Sequence, residues 1–373
     1  MDFNPSPNHT VGVEWELQLL DPETLDLSDG ILPLMEFFPA ANFVKPEFIQ
    51  SCVELNSCIA ENSDVAIAHL QKSLRRLLNR CEELELGVCG GGTHPFGRRL
   101  ALITPLPRYR KLEKVSGYLA HTQITFSTHV HIGMDSGDQA MRVMTRMVPA
   151  LSSFIAVSAN SPFWRGHETG HAAYRHRILA AAPNYGLPTT FRDWQAFDDF
   201  LQSASRGNMI RHFKDIHWDI RPHPDFGTLE LRVMDSGSNL HVVHGLVSLA
   251  RCLAVKLADA STRDIVDVLP IGLPHWINKQ NCYRASLIGL DAEYIVDDRG
   301  THRPLMDVTR ELVDFCESAA PAIGESQGLE IARSLLADTP GYQAQLDAYR
   351  ESNSTRTVVE MLQQTLTRAP AFE

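Results

Sequence analysis

The sequence is poor in the features that mark disulfide frameworks, membrane spans and nucleic-acid coats. Its seven cysteines (52, 58, 81, 89, 252, 282, 316) are scattered over 373 residues, odd in number and without a C-x-x-C pair. That usage excludes a disulfide scaffold and points to reduced, mostly buried thiols in a cytoplasmic protein. The start, Met1-Asp2-Phe3-Asn4-Pro5, has no basic region followed by an apolar run, so no signal peptide is expected. The most apolar longer stretch, Met147 to Val157, is too short for a bilayer and is bounded by Arg146, so no membrane association is expected. Basic residues are outnumbered, 34 Lys and Arg against 45 Asp and Glu, for a net charge of −11. A general nucleic-acid surface needs a basic field and is excluded, although a local arginine cluster could grip a nucleotide or a small carboxylate. Nucleophile signatures are missing too: there is no G-x-S-x-G elbow and no cysteine in a catalytic context. The glycine-rich run Gly90 to Gly97 lacks both a P-loop ending and Rossmann spacing, and reads as a tight turn allowing close backbone approach.

What is present is a repeated strand pattern. In Val11-Gly12-Val13-Glu14-Trp15-Glu16-Leu17 the apolar side chains face one way, and Glu14 and Glu16 the other. Side chains two apart on a strand share a face at roughly 6.5–7 Å. Val53-Glu54-Leu55-Asn56 pairs Glu54 with Asn56, Phe126 to Ile132 pairs His129 with His131, and Thr228 to Val233 pairs Glu230 with Arg232. One such face could simply meet water. Four of them, rich in Glu, His and Arg rather than Thr, Ser and Lys, point to a shared concave floor. Crowded carboxylates repel unless cations lie among them, and oxygen ligands with an occasional His suit Mg²⁺ or Mn²⁺ better than Zn²⁺. Arginines 108, 110, 165, 175, 177, 221 and 232 are the other candidates. Arg221 precedes the fourth strand and Arg232 lies on it, where either could neutralise a phosphoryl group or hold a carboxylate bidentately.

The organisation reads as an α+β domain with a mainly antiparallel sheet over residues 1–373, helical from about 305. Strands are expected at 10–20, 52–59, 125–134 and 227–235. A helix follows N-cap candidates Asn62-Ser63-Asp64 and stops at Gly87; another spans about 138–160 with a kink at Pro149; a third spans about 241–259. Residues 161–190 lack periodicity but carry many arginines and aromatics, which suits a functional loop.

Six motifs in order then resemble the glutamate–cysteine ligase type 2 family, the carboxylate–amine ligases. They are Gly12 to Leu17, Gly92-Thr93-His94-Pro95-Phe96, His129 to Gly133, Ser158 to Trp164, Trp218-Asp219-Ile220-Arg221-Pro222 and Phe226 to Arg232. The resemblance covers about residues 10–300. It implies a glutamine-synthetase-like catalytic fold whose sheet cradles ATP and divalent metals. It also implies Glu14, Glu16, Glu54, His129, His131 and Glu230 as metal ligands. Arg175 would clamp the substrate α-carboxylate, with Arg108 and Arg221 assisting, and Arg232, beside catalytic Glu230, would stabilise the transferring phosphoryl group. The segments Gly166 to His171 and Lys279-Gln280-Asn281-Cys282 depart from the family pattern, which bears on the second substrate.

The expected activity is ATP-dependent amide formation through an acyl phosphate, from glutamate and L-cysteine, on small-molecule substrates. Three rivals stand beside it: a phosphagen-type kinase on the same fold, releasing ADP without phosphate; a zinc-type metallohydrolase using His129 and His131; and a non-catalytic metabolite-binding protein. The apolar C-terminal helices are a candidate homodimer face.

Overall fold

The computed structural model describes residues 1–39, 43–181 and 184–367. Its centre is a seven-stranded sheet whose pairings are all antiparallel. The strands are β1 (Val11–Leu20), β2 (Val44–Pro46), β3 (Cys52–Asn56), β4 (Gly87–Cys89), β5 (Ser127–Gly133), β6 (Ile220–His223) and β7 (Thr228–Asp235), in the spatial order β6-β7-β5-β1-β3-β2. β4 pairs with the C-terminal end of β1.

Alternation along β1 sets the two faces of the sheet. Val11, Val13, Trp15, Leu17 and Leu19 are 2% exposed or less and join the main hydrophobic core. Burying five such side chains contributes on the order of 10 kcal/mol of transfer free energy, before entropy is counted. Helices cover this apolar face: α1 (Ser63–Glu83), α2 (Gly137–Met147), α3 (Leu151–Ser158) and α4 (Leu240–Asp259) all pack on it. Pro149 divides α2 from α3 through a short 3₁₀ turn, because proline supplies no N–H to the helical ladder. The apolar run there extends further than residues 147–157. Gly137–Ser158 and Leu240–Asp259 are each long and apolar enough for a membrane, but 78% of either apolar window is buried within the protein.

The helix boundaries follow side-chain chemistry. Asn62 caps α1 by accepting from the Val65 N–H, and Asp64 lies in the first turn where the helix dipole favours an acid. At the other end the expected stop at Gly87 is corrected. The chain turns at Glu85, with φ of 53°, and Gly87 already belongs to β4. Gly87 serves close approach instead, since a Cβ there would lie 2.6 Å from the Gln363 amide and 3.2 Å from the Leu20 Cβ.

From residue 305 the chain is helical, with breaks at 320–323 and just before Gly341. A buried ionic knot ties this part to the sheet layer. Glu325, fully buried, bonds Arg251 at 2.9 Å and accepts from the Ser63 backbone N–H at 2.9 Å. The helix Thr355–Thr367 turns Val358, Val359, Leu362 and Leu366 inward, so its apolar face is used within the chain. Residues 161–181 form a two-strand ribbon (Phe163–Trp164 with His167–Glu168) and the short helix Tyr174–Leu179; residues 182 and 183 of the expected 161–190 loop lie outside the described residues.

Candidate active site

The polar face of the sheet floors one cavity of about 1370 Å³. That exceeds the few hundred to 1,000 Å³ typical of a single small-ligand pocket and leaves room for a nucleotide with a second substrate. Register brings the candidate residues together. Glu14 lies opposite His129 on one side and Asn56 on the other, Glu16 lies opposite Glu54, and Glu230 lies opposite both His131 and Arg221.

Two clusters result. In the first, Glu14, His131 and Glu230 can each offer a ligand atom within 4.8 Å of the others. The His131 Nε2 is 3.4 Å from Glu14 and 3.8 Å from Glu230, and its Nδ1 is fixed by the Thr228 hydroxyl at 3.0 Å. His129 Nδ1 meets Glu14 at 3.1 Å while its Nε2 is buried without a hydrogen-bond partner. Burial opposes the Glu14 charge, but the bonds from His129 and His131 outweigh it and hold this carboxyl well below the usual range. Burial and the Arg232 charge push His129 down to about 4, so it faces the Glu14 carboxylate as a neutral imidazole. His129 thus has the protonation state that metal ligation requires, whereas at His131 the Glu230 and Glu14 charges outweigh burial and favour a proton that a cation would have to displace.

The second cluster joins Glu16, Glu54 and a residue the strand pattern did not reveal, Glu47. Burial and the Glu47 charge push Glu16 up to about 7. Glu54 is driven well above the usual range by burial and by its carboxylate neighbours Glu14 and Glu47, and Glu47 is likewise raised. Glu16 accepts from both the backbone and the hydroxyl of Ser127, at 2.6 and 2.7 Å. Three carboxyls in this state mark a place for positive charge. The first cluster, with its converging ligand atoms, fits a hard divalent cation, and the second offers carboxylate oxygens of the same chemistry.

Cations of the chain itself border the first cluster. Arg221 donates from Nε to Glu230 at 2.9 Å, and Arg232 bonds the other Glu230 oxygen. Burial opposes the Glu230 charge, yet these two guanidiniums hold its carboxyl well below the usual range. Arg175 is 3% exposed; it donates to the carbonyls of Val233 and Arg232, and its Nε has no partner. Arg108 lines the cavity from the helix Pro107–Ser116. Arg110, Arg165 and Arg177 do not line it; Arg165 stacks on Trp164 and Arg177 on Tyr283.

Two further residues escaped the sequence pattern. A register shift between Leu231 and Met234 sends both Val233 and Met234 into the core, which returns Asp235 to the polar side. Asp235 accepts from the Asn160 N–H at 2.9 Å and the Ser161 hydroxyl at 2.6 Å, and the same hydroxyl accepts from the Arg175 N–H. Tyr185 stacks on His217 inside the cavity, with ring centroids 4.7 Å apart. The glycine-rich turn lies outside the cavity lining: Gly90 and Gly91 accept from Gln18, and a Cβ on Gly92 would strike the Asp235 carboxylate at 2.6–2.8 Å.

The model of glutamate–cysteine ligase family 2 matches residues 10–361. The chain belongs to that family. A relative from Trichormus variabilis, carrying the provisional name glutamate–cysteine ligase 2, is 38% identical over 97% of this chain and 94% of its own. A Mycobacterium tuberculosis protein of the same provisional name is 34% identical over 97% and 96%. Among solved structures, a glutamate–cysteine ligase from Francisella tularensis in complex with AMP superposes with a TM-score of 0.69 at 14% identity, over 98% of this chain and 89% of that one. A bifunctional glutathione synthetase from Pasteurella multocida gives 0.68 at 12%, over 95% and 52%. Both likenesses concern the fold, the expected mixed α and antiparallel β architecture. Membership identifies an ATP-dependent ligase that forms C–N bonds, and the kinase, hydrolase and binding-protein readings give way to it.

Proposed function

We propose that this ligase joins the γ-carboxylate of glutamate to the amine of L-cysteine through an acyl phosphate, and that its metal is Mg²⁺ or Mn²⁺. The observation that carries this reading is one cavity floor on which Glu14, His131 and Glu230 can converge on a cation while two arginines bond Glu230. Phosphoryl transfer needs positioning and charge neutralisation more than covalent help from side chains. In the first step a γ-carboxylate oxygen attacks the γ-phosphorus of ATP and ADP leaves. In the second the amine nitrogen attacks the acyl carbon, phosphate leaves with the C–O bonding pair, and the nitrogen gives up a proton.

Each residue's part follows from its neighbours. Glu14, His129, His131 and Glu230 would hold one cation, and Glu16, Glu54 and Glu47 a second; bound there, such cations would neutralise phosphate oxygens. Arg232 and Arg221, aligned by Glu230, present positive charge to the transferring group. Arg175 is the proposed α-carboxylate clamp, with Arg108 assisting from the facing helix. Its Nε, buried and without a partner, supports that role, while its bonds to Val233 and Arg232 also fix the register shift. The 161–190 segment is the proposed closing element.

We treat the chain as one catalytic domain acting in the cytoplasm on small molecules. The seven free cysteines agree with a reducing compartment. A homodimer would need a surface other than the inward face of the last helix. The test is phosphate release from ATP and Mg²⁺ with glutamate, screened across cysteine and other amines. Release that depends on the acid and on cysteine supports the full assignment. Release with a different amine corrects the acceptor, and none with any pair removes glutamate as the acid.

A further inference from the structure

Beyond the charged floor, the β6–β7 turn carries an aromatic pair with an open face. Phe226 lies flat on His223, with centroids 4.0 Å apart and planes 9° from parallel, and it is nevertheless 57% exposed. One ring face is therefore covered by His223, while Phe226 stays accessible in the lining of the cavity that both residues share. His223 is 4% exposed, its Nδ1 is buried without a hydrogen-bond partner, and Phe213 backs it edge-on at 5.0 Å. His131 links this shelf to the first ligand cluster: its ring centroid is 5.9 Å from Phe226, and its Nε2 faces Glu14 and Glu230.

The turn is held rigidly in place. Asn4 donates its N–H to the Pro224 carbonyl at 3.0 Å and its side-chain amide to the Asp225 carbonyl at 3.2 Å. Gly227 adopts φ of 65°, and a Cβ there would fall 1.7 Å from the Asn4 carbonyl oxygen, so the backbone at Asn4 and the turn are in direct contact. A fixed aromatic face loses little freedom when something stacks on it. The cavity's other stack, Tyr185 on His217, lies within the fields of Arg175, Arg221 and Arg232 and suits a charged substrate group rather than an uncharged ring.

We propose that the His223–Phe226 shelf is the platform on which the base of the nucleotide stacks, with its phosphates directed past His131 to the Glu14–His131–Glu230 cluster. This rests on the ATP-dependent reading of the same cavity. Every nucleobase presents a flat π face, and stacking on an aromatic side chain is a general means of holding one.

The test compares ATP with tripolyphosphate, which keeps the phosphates and lacks the base, each bound to the full chain with Mg²⁺ and followed by calorimetry. Phe226→Ala is expected to weaken ATP about tenfold, the size of one lost stack, while tripolyphosphate changes less than about twofold. Phe226→Trp is expected to restore ATP affinity, and Phe226→Leu, which keeps bulk without a π face, is not. Circular dichroism verifies that each variant is folded. Unchanged ATP affinity in Phe226→Ala overturns the platform, as does an equal loss of ATP and tripolyphosphate. If the unaltered chain binds tripolyphosphate but not ATP more tightly, the platform fails while the phosphate-handling floor stands. If it binds neither, the reading of the cavity itself fails and takes the platform with it.

Discussion

Replacing Arg232 should separate catalysis from folding, and the structure says by how much. Glu230 is 1% exposed and has two guanidinium partners, so removing one does not strand its charge. Breaking a buried pair outright costs about 3–5 kcal/mol, chiefly through the charge left uncompensated. Arg221 remains bonded at 2.9 Å and the Arg232 side chain is 18% exposed, so Arg232→Ala should cost only about 1–2 kcal/mol of stability. The proposed loss of charge at the transferring phosphoryl group is a larger effect. Removing one preorganised stabilising group of this kind lowers the rate by about 10²–10³. Arg221→Ala should couple the two effects instead of separating them. Its guanidinium also donates to the carbonyls of Ile216 and Lys214, so the variant loses more stability than Arg232→Ala. Thermal unfolding gives the first quantity and ATP-dependent phosphate release with acid and amine gives the second. A rate within about twofold of the unaltered chain in a folded Arg232→Ala would refute the role assigned to Arg232, given the expected size of the effect.

Other consequences are equally direct. His94 accepts from the Gly97 N–H at Nδ1 and contacts the Leu25 carbonyl at Nε2, so its folded form is neutral, and burial pushes it from 6.5 down to about 4. Its folded value lies below the unfolded one, so the unfolded chain binds the extra proton and stability falls as pH drops from about 6.5 to 4. The contribution is about 3 kcal/mol, and denaturant titrations should show it missing from His94→Asn. Glu325→Ala strands Arg251 beside Ser63 and should cost about 3–5 kcal/mol in the same assay, whereas Glu325→Gln, which keeps two hydrogen-bonding atoms, should cost less. A chelator should abolish phosphate release, and added Mg²⁺ should restore it; Glu54→Gln should raise the Mg²⁺ concentration needed for half-maximal rate by about 10-fold or more, and no change would remove Glu54 from the second cluster.

Much of the floor was legible because strand parity is rigid. A period of two leaves no freedom over which face Glu14, Glu16, Glu54, His129, His131 and Glu230 occupy once their neighbours are committed to the core. The helices were legible for the same reason, through spacing and caps such as Asn62. Pairing order was not legible. Nothing local states that Glu14 lies opposite His129 rather than Glu54, since register is decided by the whole sheet. The ionic knot of Glu325 with Ser63 and Arg251 was equally hidden: its members are 262 and 74 residues apart in sequence.

The residues that escaped show where parity stops working. Glu47 follows the three-residue strand β2, too short to display alternation, and its own period gave no sign that it would crowd Glu16 and Glu54. Asp235 was hidden by a break in the period itself. Uninterrupted alternation from Glu230 and Arg232 would place Met234 on the floor and Asp235 in the core, and the register shift exchanges them. That exchange is tied to the site. The Val233 and Arg232 carbonyls freed from regular pairing accept from the Arg175 guanidinium, and Asp235 holds the Ser161 hydroxyl that accepts from the Arg175 backbone. A straight strand would leave buried Arg175 without those acceptors, at the cost that accompanies any unpaired buried charge. The irregularity that defeats the sequence pattern is thus what lets an arginine from outside the sheet be anchored at its edge, beside the two arginines that the pattern did reveal.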